Sequence, residues 1–361
     1  VEARELLASG GAVLAAFFAG ALCIRAAGAS PLAAYAALLG GSLGSLNALG
    51  ETGARMAPLL LAGLGVALAF RAGAFNIGAE GQLYVGALLV TVAALALRGL
   101  PGAAMLPVLA AAGFAGGALW GGIAGWLKAR FGANEIINTI MLNFVAIYLV
   151  GLLLHGPLQE AERFFPRSDE LPAAAHLPVL LPRTRLHAGL LLALLAAAAL
   201  AYLYRRTVLG YELEVVGHQP EAARYARIPV EGHVTLAMAL SGGLAGLAGL
   251  TEVAGIHHQL LETISANLGY TAIAVALLGR AQPLGIVLAA FLFAALEIGS
   301  SAMQSRERVP ANMVLVIQGL IVLFVVARTF LAERFRLRRG GGEPATSAVA
   351  VAGAAAGGAR E

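Results

Sequence analysis

Residues 54–98 read ARMAPLLLAGLGVALAFRAGAFNIGAEGQLYVGALLVTVAALALR. Two apolar runs, 54–70 and 83–98, approach the length a helix needs to cross the hydrocarbon core, about 17–25 residues. Between them stands Phe75-Asn76-Ile77-Gly78-Ala79-Glu80-Gly81-Gln82, a carboxylate and two amides beside two glycines. Such groups at a membrane boundary are costly unless paired or wet. Non-helical backbone at that depth is tolerated only against protein or a water-filled cavity. Two compatible readings follow. Asn76, Glu80 and Gln82 belong to a translocation gate, or the segment is a capping hinge in which backbone amides satisfy Glu80.

The rest of the chain repeats the apolar theme. Of its 361 residues, 59% are hydrophobic and 12% charged, the latter roughly half the soluble average. Lipid is the solvent that accepts such a surface. Further runs stand at 10–27, 104–127, 136–154, 187–204, 233–256, 268–280, 283–303 and 310–331. The expected fold is all-α, a polytopic membrane helix bundle of about ten spans. The run at 268–280 is short enough to be re-entrant, unless a full span starts near Ile264. The first run could pass for a signal peptide, with Arg4 before it and Ala27-Gly28-Ala29 after it. The many later spans favour an uncleaved first helix.

Charge orients these spans. With ten spans and a cytoplasmic N-terminus, fifteen of the 24 basic residues fall on cytoplasmic segments, the expected bias. Residues 155–186, with five prolines, then form an extracytoplasmic loop, and 205–232 a polar cytoplasmic one. Arg334, Arg336, Arg338 and Arg339 form a topology anchor after the last run. The expected organisation is a membrane domain over 1–333 and a cytoplasmic tail over 334–361, Gly/Ala-rich and disordered after Arg339.

Several chemistries have no carrier in the sequence. Lys128 is the only lysine, and no Gly-rich loop ends in Lys-Ser/Thr, so P-loop ATP hydrolysis is excluded. No HExxH or Gly-x-Ser-x-Gly occurs, and no catalytic residue is assigned. His257 and His258 are adjacent, point to different faces and make a poor metal pair. Cys23 is the only cysteine, so there is no internal disulfide or thiolate cage. Nucleic-acid binding would need basic clusters interleaved with aromatics, which are missing.

Other polar and small residues inside the apolar runs carry information. Gly113, Gly117, Gly121 and Gly125 recur every four residues and form a ridge for close helix packing. Asn134, Glu135, Asn138 and Asn143 open the fifth run, with Asn134 and Asn138 on one face. Glu252 and Glu297 stand late in their runs. Each is a pathway candidate by its cost, or an interhelical pairing group. In the loop TVLGYELEVVGHQPEAARYARIP, residues 207–229, Pro220 suits the first helical position and Glu221 the helix dipole, while Pro229 ends the helix. Gly217, Pro220, Glu221, Ala222, Ala223 and Arg224 form either a docking knob for a partner or a plain surface helix.

Together, FNIGAEGQ and this loop resemble permease subunits of bacterial ATP-binding-cassette (ABC) importers. The branch is the one holding branched-chain amino acid, ribose-type and nucleoside permeases. Residues 132–146, GANEIINTIMLNFVA, look most like nucleoside-type members. Residues 270–285, YTAIAVALLGRAQPLG, match the family's late signature. The coupling segment departs where Glu214 and Val215 replace an Arg-Ala pair and Arg227 replaces a glycine. The resemblance spans residues 50–330.

It implies a transport subunit of the bacterial inner membrane with both termini cytoplasmic. Separate ATPase subunits would grip 217–224 and hold ATP-Mg, with no cofactor or metal on this chain. A second permease, a paralogue, would complete the pathway, and an extracytoplasmic lipoprotein would deliver a small-molecule substrate. The expected substrate is a nucleoside. The alternatives are a simple-sugar or branched-chain amino acid permease, and an ion-coupled secondary transporter using Glu80, Glu252 or Glu297.

Overall fold

A computed structural model describes residues 2–310 and 312–338. Among them the regular structure is helical, with only two isolated β-bridges, Arg167 to Leu261 and Val179 to His187. The helices are α1 (Glu2–Ala26), α2 (Pro31–Leu43), α3 (Leu46–Arg71), α4 (Ala79–Ala96), α5 (Gly102–Phe131), α6 (Glu135–Leu154), α7 (Gly189–Arg206), α8 (Val208–His218), α9 (Pro220–Tyr225), α10 (Val230–Glu252), α11 (Leu268–Leu278), α12 (Pro283–Glu307) and α13 (Met313–Arg338). The all-α polytopic membrane fold is therefore observed.

Every apolar run read from the sequence lies on a helix, but not every helix spans alone. Among the described residues seven are long and apolar enough to cross a membrane, or up to eight if a bent pair, Val13–Ala26 with Pro31–Leu43, counts as one span. That pair bends by 116°. Its break falls at Gly28, φ +86, and α2 restarts with Pro31 in its first turn, where a missing N–H costs nothing. The sequence reading expected a break only at 268–280. There α11 has 11 residues, roughly 16 Å of helix against a core of about 30 Å.

The chain divides into two compact units, residues 1–45 with 295–361, and residues 46–294. In the first, α1 packs on α13 and α2. The Tyr35 hydroxyl donates to the Phe17 carbonyl at 2.6 Å.

The second unit holds the α3, α4, α5 and α10 core. Helices α3, α4 and α10 are buried along most of their length, whereas α5, α6 and α7 are buried along less than a third of theirs. The tightest seam joins α5 to α10. A methyl group on Gly117 would strike the Gly242 carbonyl, and one on Gly246 the Gly113 carbonyl. The four-residue glycine ridge is thus a packing surface, as its spacing suggested, meeting a second glycine series on α10. Close backbone approach of this kind replaces the hydrophobic drive that lipid cannot supply.

Three expectations are corrected. The segment 205–232 is mostly helical: α8 is capped by Thr207, whose Oγ1 accepts from the Gly210 amide at 3.1 Å. Pro229 does not end α9, which stops at Tyr225; it is the N-cap of α10 instead, where its fixed φ is compatible with helix entry. Finally, 333/334 is no structural boundary, because α13 runs to Arg338; the tail expected to be disordered, 339–361, lies outside the described residues.

Candidate functional site

Asn76, Gln82 and Asn143 are fully or almost fully buried, as is Glu80. The structure gathers all four into a polar knot around residues 75–82, in three separate sets of hydrogen bonds. Asn76 Nδ2 donates to Gln82 Oε1 at 2.8 Å and to Ser241 Oγ of α10 at 2.7 Å. Gln82 Nε2 donates back to Asn76 Oδ1 at 3.0 Å, which also accepts from the Gly78 amide. From α6, Asn143 Oδ1 accepts from the Gly81 amide at 2.8 Å, while its Nδ2 donates to the Ile77 carbonyl at 2.9 Å and the Tyr270 hydroxyl at 3.3 Å. Non-helical backbone at 72–78 is satisfied by α6 side chains, Asn143 at the Ile77 carbonyl and Glu135 at the Phe75 amide, by Asn76 at the Gly78 amide and by the last carbonyls of α3, the condition under which it persists in a membrane.

Glu80 faces α11. Its carboxylate accepts from the Gly269 amide at 2.8 Å, at a helix start whose N-cap, Asn267, has φ +70 and no side-chain cap of its own. The backbone capping of Glu80 anticipated in the sequence is present, with donors on a distant helix.

The other candidates separate. Asn134 is the N-cap of α6, accepting from the Ile136 and Ile137 amides. Glu135 pairs with Lys128 and accepts from the Phe75 amide at 3.4 Å. Asn138 keeps a buried Nδ2 with no hydrogen-bond partner among the described residues. Glu252, 1% exposed, lies 3.6 Å from Arg55 and 3.4 Å from His257, beside a π-helical turn at Val253–His257. Glu297, half-buried on α12, belongs to the other unit. The sequence reading missed Ser241, Tyr270 and Arg55. Ser241 carried a signal, a hydroxyl beside two glycines within an apolar run; Tyr270 carried only its place at the head of the 270–285 segment.

Charged pairs gather at both ends of this unit. At one end stand Arg71 with Glu214, Lys128 with Glu135, and Arg224 with Glu221 and Glu231. There α9 exposes Pro220, Glu221, Ala222 and Arg224 and buries Ala223, while Gly217 closes on the end of α3. At the other end are Glu51 with Arg185, Arg98 with Asp169, and Arg167 with Glu160. The Arg167 guanidinium holds the Glu160 carboxyl below its usual range. The loop 155–186 is strapped to 254–260 there: the Leu171 amide donates to the His258 carbonyl and the Leu177 amide to the Ala254 carbonyl, both at 2.8 Å. An open cleft of about 510 Å³ lies between Glu162, Glu170, His257 and His258. No group of side chains able to hold a metal occurs among the described residues.

A helical membrane subunit with a capped, exposed helix pair at one end and a strapped loop at the other is the class that fold and site define. The chain belongs to the family described as branched-chain amino acid transport system, permease component, whose model matches residues 48–326. It is thus a multi-pass membrane protein, the non-catalytic transmembrane component of an ABC importer, and that membership implies ATPase and binding-protein partners. The ion-coupled secondary-transporter reading falls with it. The chain is 39% identical to the glucose ABC transporter permease protein TsgB13 of Haloferax volcanii, covering 92% of this chain and 91% of the relative. It is 36% identical to the guanosine ABC transporter permease protein NupP of Bacillus subtilis, covering 88% and 91%. It is 32% identical to the nucleoside ABC transporter permease protein NupB of Lactococcus lactis, covering 92% and 93%. No solved structure matches the chain.

Proposed function

We propose that this permease carries nucleosides inward, driven by ATP hydrolysed on separate ATPase subunits. The observation that carries the reading is similarity over nearly the whole chain to two permeases named for guanosine and for nucleosides, joined to the nucleoside-type segment 132–146. Helices α8 and α9 face the ATPases in the cytoplasm, with Gly217 and residues 220–224 as the contact. The loop 155–186 faces outward toward a substrate-binding lipoprotein. Both termini are cytoplasmic, the membrane is the bacterial inner membrane, and a paralogous permease supplies the other half of the pathway. The knot of Asn76, Glu80, Gln82 and Asn143 frames the pathway, together with Asn134, Glu135, Glu252 and Glu297. Asn138, with an uncommitted amide donor, is the member best disposed to meet an uncharged substrate.

Glucose is the second reading, favoured by the 39% identical relative. The two substrates share an uncharged, hydroxyl-bearing sugar ring. Competition uptake in cells bearing the complete system separates them. Labelled guanosine is expected to enter, and excess glucose, ribose or leucine to leave that entry unchanged. Entry of labelled glucose without guanosine would replace the nucleoside by the sugar, and inhibition by leucine would return the assignment to an amino acid.

A further inference from the structure

The helix pair α8–α9 packs on α3, α7 and α10, and its joint with α3 is compact. Arg71 is the last residue of α3, and its guanidinium donates to Glu214 of α8 at 2.7 Å while lying 4.1 Å above the Tyr204 ring. Two residues on, Gly73 adopts φ +71 and packs against Gly217. A methyl on Gly217 would strike the Arg71 carbonyl, and one on Gly73 would come within 3.0 Å of the Gly217 Cα. Beneath this contact Val216 and Ala223 of α8 and α9 share one apolar cluster with Ala69 and Ala74, Ala124 of α5 and Met238 of α10. On the α10 side, His233 Nε2 lies 2.9 Å from Glu212. The chain leaving Gly73 runs directly into Asn76, which is bonded to Gln82 and Ser241.

Resting on the reading that α8–α9 docks the ATPase, we propose that Arg71 and Glu214 are positioning residues of transport. Their pair keeps α8 in register with the 72–78 linker, so that displacement of α8–α9 is delivered to the Asn76 knot between α4 and α10. The pair is a poor stability element. Glu214 is 44% exposed, and ion pairs so open to solvent contribute little to folding. Packed two-state elements transmit motion only where their contact is kept, and the backbone approach at Gly217 with the pair beside it is that contact.

The test uses the full assembly in proteoliposomes: this chain, its ATPases, the second permease and the binding protein. Glu214→Arg, which sets two cations together, is expected to retain the ATPase on purification. ATP hydrolysed per substrate molecule moved should rise about tenfold, within the range of ordinary coupling energies. Adding Arg71→Glu to Glu214→Arg should bring that ratio back toward the wild type, the signature of a pairwise contact. An unchanged ratio in Glu214→Arg, or a double variant no better than the single, overturns the joint. ATPase loss from Glu214→Arg moves the defect to docking and overturns it as well. A wild-type chain that retains no ATPase would instead overturn the docking reading on which the joint rests.

Discussion

Glu80 and Gly269 stand 189 residues apart and are joined by one hydrogen bond of 2.8 Å, carboxylate to backbone amide. The first amides of any helix lack partners inside it. Asn267 caps α11 in position but lends no side chain, so Glu80 of α4 does what an N-cap side chain ordinarily does. A helix too short to cross the membrane is thereby tethered to the start of another.

Glu80→Ala is expected to leave that amide buried and unpaired, a loss of about 1–3 kcal/mol. The thermal midpoint of the detergent-purified chain should fall, and Glu80→Gln should fall less because its amide oxygen still accepts. Equal midpoints in all three proteins would dismiss the tether.

The α5–α10 seam should be intolerant at one glycine and permissive at its neighbour. A methyl at Gly117 meets the Gly242 carbonyl, whereas one at Gly122 meets only the Ala239 Cβ at 3.6 Å. Gly117→Ala should force the helices apart and cost about 1–3 kcal/mol, as overpacking does, and Gly122→Ala should be silent or slightly stabilising. Comparable unfolding temperatures for the two variants would contradict the seam.

Asn143 is fully buried and serves the Gly81 amide, the Ile77 carbonyl and the Tyr270 hydroxyl. Asn143→Leu keeps the branched four-atom shape but strands those groups, so destabilisation of about 2–4 kcal/mol is expected. Tyr270→Phe, which removes the longest of the three contacts, should cost well under half as much. Hydrogen exchange at Gly81 offers the local readout: protection should drop in Asn143→Leu and persist in Tyr270→Phe.

His187 gives the loop end a pH dependence. Burial first, and His258 second, lower its pKa from 6.5 to about 4; its Nδ1 accepts from the Gly189 amide at 3.1 Å. Between those two values the unfolded chain binds the proton and the folded chain does not, so stability falls as pH falls. The contribution is complete above about pH 6.5 and is lost progressively down to about pH 4, roughly 3 kcal/mol in all. His187→Asn, whose side-chain oxygen can still accept from Gly189, should flatten that slope in acid melts. An unaltered slope would assign the acid sensitivity to other groups.

The sequence by itself determined the membrane class, the helical runs, the glycine ridge and the short helix starting at Pro220. These are patterns among neighbours along the chain: an apolar run of spanning length, a four-residue repeat, a proline at a helix start. It also singled out Asn76, Glu80, Gln82 and Asn143 by the cost of polar groups in lipid. Only the tertiary structure decided what those groups do. Asn143 meets Gly81 across 62 residues, Asn76 meets Ser241 across 165 and Glu80 meets Gly269 across 189. Local pattern sets a residue's need for a partner. The partner is supplied by whichever helix packing brings within about 3 Å, and that packing is fixed by side-chain volumes on both helices at once, which neither stretch of sequence contains alone.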